Sequence, residues 1–569
     1  MQRLYIAALA CLISVSVFSQ TLYNPQIKYE NIGGFYDIDS IRELNIQFYE
    51  SNFNSILDST YYNNPDFRLP AQIFMGNSYL DSVAIRYKGY SSYINCSSSI
   101  KKPYNIDINS IINDYQFMGY KKIKLSNCWF DPTFLKELLA CKLYQRYLPT
   151  YEANLIRIQT QGEYTGLYLN QEAVNKQFLE KHFGENDGAF FKCDPINNDL
   201  YSSNLQFFGL DSTMYFNSYE IKSTNGWSEL INLIEILNNN PENIGNVLNV
   251  DRVLWYFALN QVLMNYDSYN IGACHNYYLY QTADGLFQII PWDLSESFIN
   301  SANSTPTGIL SDPYYNEPNK PLLNIILNND IYRKIYTAHL RTILQESLNI
   351  SWFYSSINEL QSLTIESVIN DTEKGFSTQD FFDNINQQSF LYDYITIQPL
   401  IPVLLERIED LENYLDINYS APLITNMIIS NNSITVNVNN ANTVQLMISE
   451  NEFGSNFSPI SMFDNGTNGD LISGDGIYTL LYPFQFSNSN LKFYILAENN
   501  DAVSLSPERA EYEYYMLPSQ LETIHSEVTS HRKLVNKIDL LGREVNHTTN
   551  QILFYIYDDG SVEKKFIVE

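Results

Sequence analysis

Apolar and polar residues alternate with period two over much of the stretch from about residue 25 to 125. The segments LDSVAIRYKG, PYNIDIN and YKKIKLS predict strands separated by turns. The pattern changes to a helical one in DPTFLKELLACKLYQRYL, which predicts a helix over 131–148 with Asp131 as N-cap and Pro132 at the first helical position. Strand alternation returns in NLIRIQTQGEYTGLYLNQE, a hairpin centred on Gly162. Residues 230–263 are helical in pattern. HNYYLYQTADGLFQIIPWDLS follows as a second hairpin, turning at Asp284-Gly285. Residues 320–415 are again largely helical and close on LLERIEDLENYLD. A β-rich part followed by an α-rich part, with one hairpin set into the latter, predicts a two-lobed α+β domain over 21–420 with a cleft between the lobes.

The texture changes after Tyr419. Short strands and turns such as SITVNVNN, TVQLMIS and LKFYILAENN predict a β-sandwich of the immunoglobulin or fibronectin type over 421–516. A last β-rich unit, 517–569, contains KLVNKIDLLGREV and QILFYIYDDGSVEKKFIVE. At the other end Arg3 precedes the apolar run Leu4–Phe18, which suits a signal peptide over 1–20 and is too short to span a bilayer. No later stretch approaches the length of a transmembrane helix, so the mature chain is expected to be exported and to carry no membrane span.

Composition narrows the possibilities. With 569 residues, 45 % of them hydrophobic and 14 % aromatic, the chain has ample material for large cores and is not a disordered polymer. Its 34 Lys+Arg against 64 Asp+Glu leave a net charge of −30, which opposes binding to nucleic acid and to anionic membranes. Of the 6 cysteines, Cys11 lies in the apolar leader; the others show neither a C-x-x-C pair nor zinc-site spacing. The 6 histidines include no H-E-x-x-H motif, so a zinc hydrolase is not indicated.

One constellation has the parts that phosphoryl transfer needs. Asp267 follows a helix, Asn276 starts a strand, and Asp293 ends the other strand of that hairpin. One aspartate can orient or deprotonate an acceptor while an amide and a second carboxylate offer hard oxygen ligands to a magnesium ion. Each of these residues taken singly is more often a cap or turn residue. Upstream, IRYKGYSS places Arg86 and Lys88 before a small-residue turn that could approach a phosphate; an ordinary hairpin turn fits as well. Lys102 shares a period-two face with Tyr104, Ile106 and Ile108, which makes it a candidate to enter the cleft and pair with Glu137 on the following helix. Lys192 and Lys222 are further cleft candidates. Asp464, Asp470 and Asp475 sit in a Gly-rich loop whose Asp-Gly steps are read as turn formers rather than as a calcium site.

Taken in order, VAIRYKGYSS, KKPYNIDIN, GYKKIKLSNCWFDPTFLKELLACKL, GEYTGLYLNQEAVNKQFLEKHFG, FFKCDP, YEIKS, NYDSYNIGACHNYYLY and IIPWDLSESF resemble the CotH kinase family over roughly residues 30–410. The resemblance implies an atypical protein-kinase-like fold that uses ATP with Mg²⁺ or Mn²⁺ and phosphorylates protein Ser or Thr. It implies Asp267 as catalytic aspartate, Asn276 and Asp293 as metal residues, and Glu172 as a residue meeting the nucleotide where the lobes join. Ser295 departs from the family pattern, since relatives often carry an acidic or amide residue there. The nine-residue interval from Asp267 to Asn276 also departs from the protein-kinase loop, which spaces its Asp and Asn by five. The C-terminal unit is similar to the sorting domain of type IX secretion substrates of Bacteroidetes-type bacteria. That similarity implies the type IX machinery as a partner and a secreted or cell-surface address. The expected function is therefore an exported kinase acting on an unidentified protein. The alternatives are an inactive kinase-like protein serving in binding or adhesion, and a kinase-like site that transfers a group other than phosphoryl.

Overall fold

The computed structural model describes residues 21–29, 33–96, 98–195, 199, 201–299, 312–348, 350–392, 395–430, 433–450, 456–481, 491–517, 534–539, 543, 545, 552–557 and 562–566. The expected signal peptide lies outside them. The architecture is mixed α+β. Strands Arg42–Phe48, Leu69–Met75, Ser78–Tyr87, Tyr104–Asp107, Lys122–Ser126, Glu163–Gln171 and Ala153–Thr160 close in that order into a barrel. The closing pair, Ala153–Thr160 beside Arg42–Phe48, is parallel, and the other ladders are antiparallel. Every second side chain points inward, so Leu44, Ile46, Ile73, Ile85, Ile106, Ile123, Leu125 and Ile158 fill the interior. The hairpin at Gly162 turns through Gln161 and Gly162 at φ 55° and 85°. Both central residues of a two-residue turn thus have positive φ, as the right-handed twist of the flanking strands requires.

The helix expected over 131–148 is shorter, Lys136–Tyr144. Phe134 adopts φ 60° and breaks the helical path before it. The N-cap is thus Leu135 rather than Asp131, and Pro132 lies before the helix; the Asp131 carboxylate instead ties the preceding turn to the first helical residue, accepting the Thr133 N–H at 2.9 Å and the Lys136 N–H at 2.8 Å. The next layer is a four-stranded sheet in the order Glu220–Ile221, Phe190–Cys193, Tyr277–Gln281, Phe287–Pro291. Helices Trp227–Asn239, Val250–Val262, Pro321–Asn328, Asp330–Glu346 and Leu400–Glu412 share one continuous apolar core with this sheet and with the Lys136–Tyr144 helix.

A buried ion pair fastens the barrel to the long helix Ile350–Asn370. Lys101 and Asp371 lie 2.5 Å apart with side-chain exposures of 1 % and 0 %. The same Asp371 oxygen accepts the Leu167 N–H at 3.0 Å. Gly166, at φ 145°, leaves it room, since a Cβ there would come within 2.7 Å of that carboxylate.

Strands Leu423–Ile429, Ser433–Asn439 and Ile477–Leu481 form one small sheet. A second contains Tyr514–Leu517, Leu491–Glu498, Thr443–Ser449 and Ser458–Met462, with Val503–Ser506 beside Leu491–Glu498. Its outer strand is Thr21–Tyr23, paired with Tyr514–Met516. This region is fastened to the helices rather than tethered to them. Tyr494, Leu496, Val503, Leu505 and Ala510 pack with Ile331 and Ile335. Trp255 Nε1 donates to the Ala510 carbonyl at 3.1 Å, and Arg509 pairs with Glu346 at 2.7 Å. A fragment ending near residue 420 would uncover that apolar surface. In the Gly-rich loop the carboxylates of Asp464, Asp470 and Asp475 lie within 4.8 Å of one another. Asp464 accepts N–H groups of Gly474 and Gly476, and Asp470 accepts that of Gly466, as turn-forming residues do. Residues 485–490 with 518–569 make a separate compact unit, in which Leu534–Asp539, Ile552–Tyr557 and Val562–Phe566 form an antiparallel sheet. Among the described residues no helix is long and apolar enough to cross a membrane.

Replacing Asp371 by Ala leaves the Lys101 ammonium buried without its counter-charge, a defect that costs about 3–5 kcal/mol. Urea or thermal melts of Asp371→Ala should show a loss of that size. A variant as stable as the parent would mean that the pair does not hold the barrel in place.

Candidate active site

The site begins where the helix Val250–Val262 stops. Met264, at φ 48°, turns the chain, and a network of amides fixes the loop that follows. Asn260 receives the Asn265 amide at 3.1 Å and donates to Asn270 at 2.7 Å; Asn270 returns a bond to the Phe257 carbonyl at 3.2 Å. Asp267 projects from this loop with both carboxylate oxygens engaged. His275 Nε2 lies 2.6 Å from Oδ1, and Asn276 Nδ2 donates to Oδ2 at 2.9 Å. The other imidazole nitrogen faces Asp194 at 3.5 Å, and Asp194 is in turn paired with Lys192. Burial pulls the His275 pKa down, but the hydrogen bonds and charges of Asp194 and Asp267 outweigh it and hold it at about 10.

The hairpin brings Asn276 and Asp293 to the same end of the sheet. Tyr277 stands opposite Pro291, and the Trp292 N–H extends the ladder to the Asn276 carbonyl at 3.1 Å. Both residues leave their strands in the left-handed region, Asn276 at φ 61° and Asp293 at φ 52°. A non-glycine residue held there costs about 1–3 kcal/mol and is common where a side chain must be aimed. Ser295, the departure from the family pattern, donates its hydroxyl to Asp293 Oδ1 at 2.7 Å and so helps to orient it. Acidity is supplied by the next residue, Glu296, whose carbonyl accepts the Tyr266 N–H at 3.2 Å. Burial, together with the charges of Asp267 and Asp293, pushes the Glu296 carboxyl up to about 7. Crowded carboxylates beside an amide oxygen are the hard-donor set that suits a divalent cation.

Lysines approach from the opposite side. Lys88 extends from the strand Ser78–Tyr87, Lys124 lies in Lys122–Ser126, Lys192 in Phe190–Cys193, and Lys222 follows Glu220–Ile221. Burial, then the like charges of Lys88, Lys192, Lys222 and Lys122, hold the Lys124 ammonium well below its usual pKa. Its Nζ lies 4.0 Å from the centroid of the Trp292 ring, next to Asp293. A buried relay joins these lysines to the carboxylates. Lys88 Nζ donates to Gln171 Oε1 at 2.5 Å, and Gln171 Nε2 donates to Glu137 Oε1 at 2.6 Å. The Tyr151 hydroxyl donates to the same Glu137 oxygen at 2.6 Å and accepts the Leu294 N–H at 3.1 Å. Barrel, helix and acidic turn are thereby connected through side chains.

One sequence-based pairing is corrected, and two other candidate residues stand apart from this relay. Lys102 does not pair with Glu137. The face it shares with Tyr104, Ile106 and Ile108 is the barrel interior, and its ammonium donates to the Cys96 carbonyl at 2.9 Å, 4.9 Å from the Tyr93 ring centroid. Glu137 is reached instead from Lys88, through Gln171. Glu172 points away from the relay, because it alternates with Gln171 along the strand. It accepts the Glu152 N–H at 3.0 Å and lies 3.6 Å from Lys181, with its pKa raised to about 7 by burial against the pull of that lysine. Arg86 donates to the Pro65 carbonyl at 2.5 Å and takes no part in the relay. The residues that sequence reasoning missed are Lys124, Gln171, Tyr151, Asp194 and His275. Lys122 and Lys124 did carry a signal, since they are the polar alternation of KIKLS.

Burial, then the nearby Asp293 charge, raises the Glu137 pKa to about 7 from a usual value of 4.5. Between those values the folded protein keeps a proton that the unfolded chain releases, so this group's contribution to stability is complete at low pH and is lost as pH rises through 7. Glu137→Gln should therefore match the parent near pH 5 and lose less stability on going to pH 8. Urea melts across that range measure the two slopes. Equal slopes would place the Glu137 pKa near its usual value.

Comparison with known proteins agrees with this geometry. Residues 85–396, more than half of the chain and inclusive of Lys88, Glu137, Asp267, Asn276 and Asp293, match the family model described as CotH kinase protein. The inner spore coat protein H of Bacillus subtilis (strain 168) is 25 % identical over 347 residues, which cover 58 % of this chain and 91 % of that protein. The matched region takes in the later barrel strands, the relay and the acidic hairpin as one block that covers more than half of the residues: the chain belongs to the CotH kinase family.

Proposed function

We propose that the chain is an exported CotH-like kinase that transfers the γ-phosphoryl group of ATP to a Ser or Thr hydroxyl of a secreted or surface protein. The observation that carries this reading is the meeting of two crowded charge sets of opposite sign. On one side Lys88 and Lys124 are buried among like charges, with Lys192 and Lys222 beside them already paired to Asp194 and Glu220. On the other, Asp267, Asp293 and Glu296 influence one another. Such crowding is costly in a chain of net charge −30, where lysines are scarce and carboxylates plentiful. A nucleotide polyphosphate relieves the first set and a divalent cation the second, so a metal–nucleotide complex satisfies both.

In this reading Asn276 and Asp293 hold Mg²⁺ or Mn²⁺, whose chemistry is to neutralise developing phosphate charge. Asp267 orients the acceptor hydroxyl and receives its proton, its carboxylate kept in place by His275 and Asn276. Lys88 and Lys124 balance the phosphates, and Trp292 backs the Lys124 stem. Phosphoryl transfer is also supported by membership of a family described as CotH kinase protein.

The test is incubation of the chain from residue 21 onward with labelled ATP and Mg²⁺ or Mn²⁺, followed by mass spectrometry of the products. Asp293→Ala should abolish metal-dependent nucleotide binding while leaving the fold intact. Asp267→Asn should lower transfer by about 10²–10⁴-fold with nucleotide affinity nearly unchanged. Equal loss of binding and transfer in Asp267→Asn would assign that residue a structural role.

Export belongs to the same proposal. The leader at 1–20 would open the route across the inner membrane, and the terminal β unit would be read by the type IX machinery. Deleting 525–569 should leave the protein in the periplasm, as fractionation would detect, without lowering the transfer activity of the purified chain. Delivery to the surface or medium equal to that of the full chain would sink the sorting role.

A further inference from the structure

The strands Phe190–Cys193 and Glu220–Ile221 are hydrogen-bonded neighbours, yet the connection between them runs through residues 194–219. Its described part holds one short helical turn, Ser212–Tyr215, and long ordered connections in compact domains usually have a task. Residues 201–219 are ordered by buried tyrosines. Tyr269 OH donates to the Asn204 carbonyl at 2.7 Å and Tyr277 OH to the Ser203 carbonyl at 2.5 Å. Tyr219 OH accepts the Leu205 N–H and Tyr215 OH the Phe208 N–H, each at 2.9 Å. Tyr269 lies two residues after Asp267, and Tyr277 directly follows Asn276. The backbone of the loop is therefore registered to the catalytic segment.

Its side chains are not used in the same way. Tyr201, Phe208, Leu210, Met214 and Phe216 are all exposed, Leu210 to 70 % and Phe208 to 52 %. Phe208 touches the Tyr215 ring and Phe216 the Trp227 ring, yet all five keep a large part of their surface in water, and such surfaces mark contact sites. A cavity of about 310 Å³ opens among Tyr201, Phe208, Asn204, Glu317, Lys320 and Cys274. Cys274 adjoins His275, and Lys320 Nζ donates to the Gly272 carbonyl at 2.8 Å, so one wall of the cavity is the catalytic segment itself. Residues 194–219 include three Asp and no Lys, Arg or His. Glu317 adds a carboxylate at the cavity rim, held 2.9 Å from Lys320.

We propose that the 201–219 loop is the surface on which the acceptor polypeptide docks, taking an extended stretch with apolar side chains and no carboxylates. The inference rests on the kinase reading. A polypeptide rather than a small molecule is specified because the exposed side chains are spread along the loop. The acceptor rather than another partner is specified because the loop is bonded to Tyr269 and Tyr277 and the cavity is lined by Cys274, next to the His275 that holds Asp267. Carboxylates are disfavoured because Asp211 on the loop and Asp199 and Glu317 at the cavity would repel them.

The test uses the chain from residue 21 onward on an array of 15-residue peptides with a central Ser and varied flanks, read for direct binding and, with Mg-ATP, for phosphorylation. The parent should bind peptides carrying Phe, Leu or Tyr near the Ser and should reject those rich in Asp or Glu. The triple variant Phe208→Ser, Leu210→Ser, Met214→Ser should bind at least about tenfold more weakly. Its affinity for Mg-ATP should be unchanged, and Leu471→Ser, altered at a 91 % exposed site on the sandwich, should bind like the parent. Peptide binding that is lost in the triple variant supports the docking surface even if no phosphate is transferred, in which case the kinase reading fails alone. Equal binding by parent and triple variant, or a preference for acidic peptides, overturns the docking surface. So does self-association of the parent that the triple variant abolishes, which would make the occupant a second copy of the chain.

Discussion

Everything in the site hangs on one oxygen of one buried carboxyl. Glu137 Oε1 accepts both the Gln171 amide and the Tyr151 hydroxyl. Through the first it reaches Lys88 in the barrel, and through the second the backbone at Leu294, one residue past Asp293. Burial and Asp293 oppose the charged form of Glu137, whereas the two donors and Lys88 favour it. Removing the acceptor would strand two buried donors, each worth about 1–3 kcal/mol. The spacing between the lysines and the acidic turn is thus set by short, directional bonds as well as by packing, which is what a site that must hold a metal and a polyphosphate together requires.

Local pattern made much of this legible. Strands such as Arg42–Phe48 and Leu69–Met75 and the helix Ile350–Asn370 follow from period two and period 3.6, because each buries one face; the second hairpin and the helix Val250–Val262 are buried on nearly every side. Asp267, Asn276 and Asp293 were visible as a set, and the structure brings Asn276 within hydrogen-bonding distance of Asp267. The hairpin register then sets Asn276 beside Trp292, the neighbour of Asp293. Their left-handed backbones were not visible, since no glycine announced the turn.

The misreadings share a cause. Alternation assigns residues to one face or the other without saying which face meets the site. Lys102 was grouped with Tyr104 and Ile106, and that face proved to be the barrel interior, where an ammonium survives only by finding a carbonyl and an aromatic ring at the barrel end. Glu172 drew attention as the charged residue after a strand, but the neutral Gln171 beside it faces the relay. Its amide can donate and accept at once, as a relay requires and a carboxylate cannot do. Tyr151 and His275 act through contacts with residues far along the chain or across a loop, for which single-sequence spacing holds no signal.

The short strand Thr21–Tyr23 completes a sheet whose other strands are made hundreds of residues later. Thr21 faces Met516, 495 positions away. Closing a loop of that length costs about 5 kcal/mol from its length alone. A three-residue ladder contributes about 3 kcal/mol at most. The strand therefore cannot dock until the intervening structure has shortened the path between its ends. A chain threaded through a membrane from its N-terminus would emerge with this segment first and yet place it last. For a chain so threaded the order of arrival and the order of assembly would be opposed, and the sheet would be sealed only once nearly the whole polypeptide had come through.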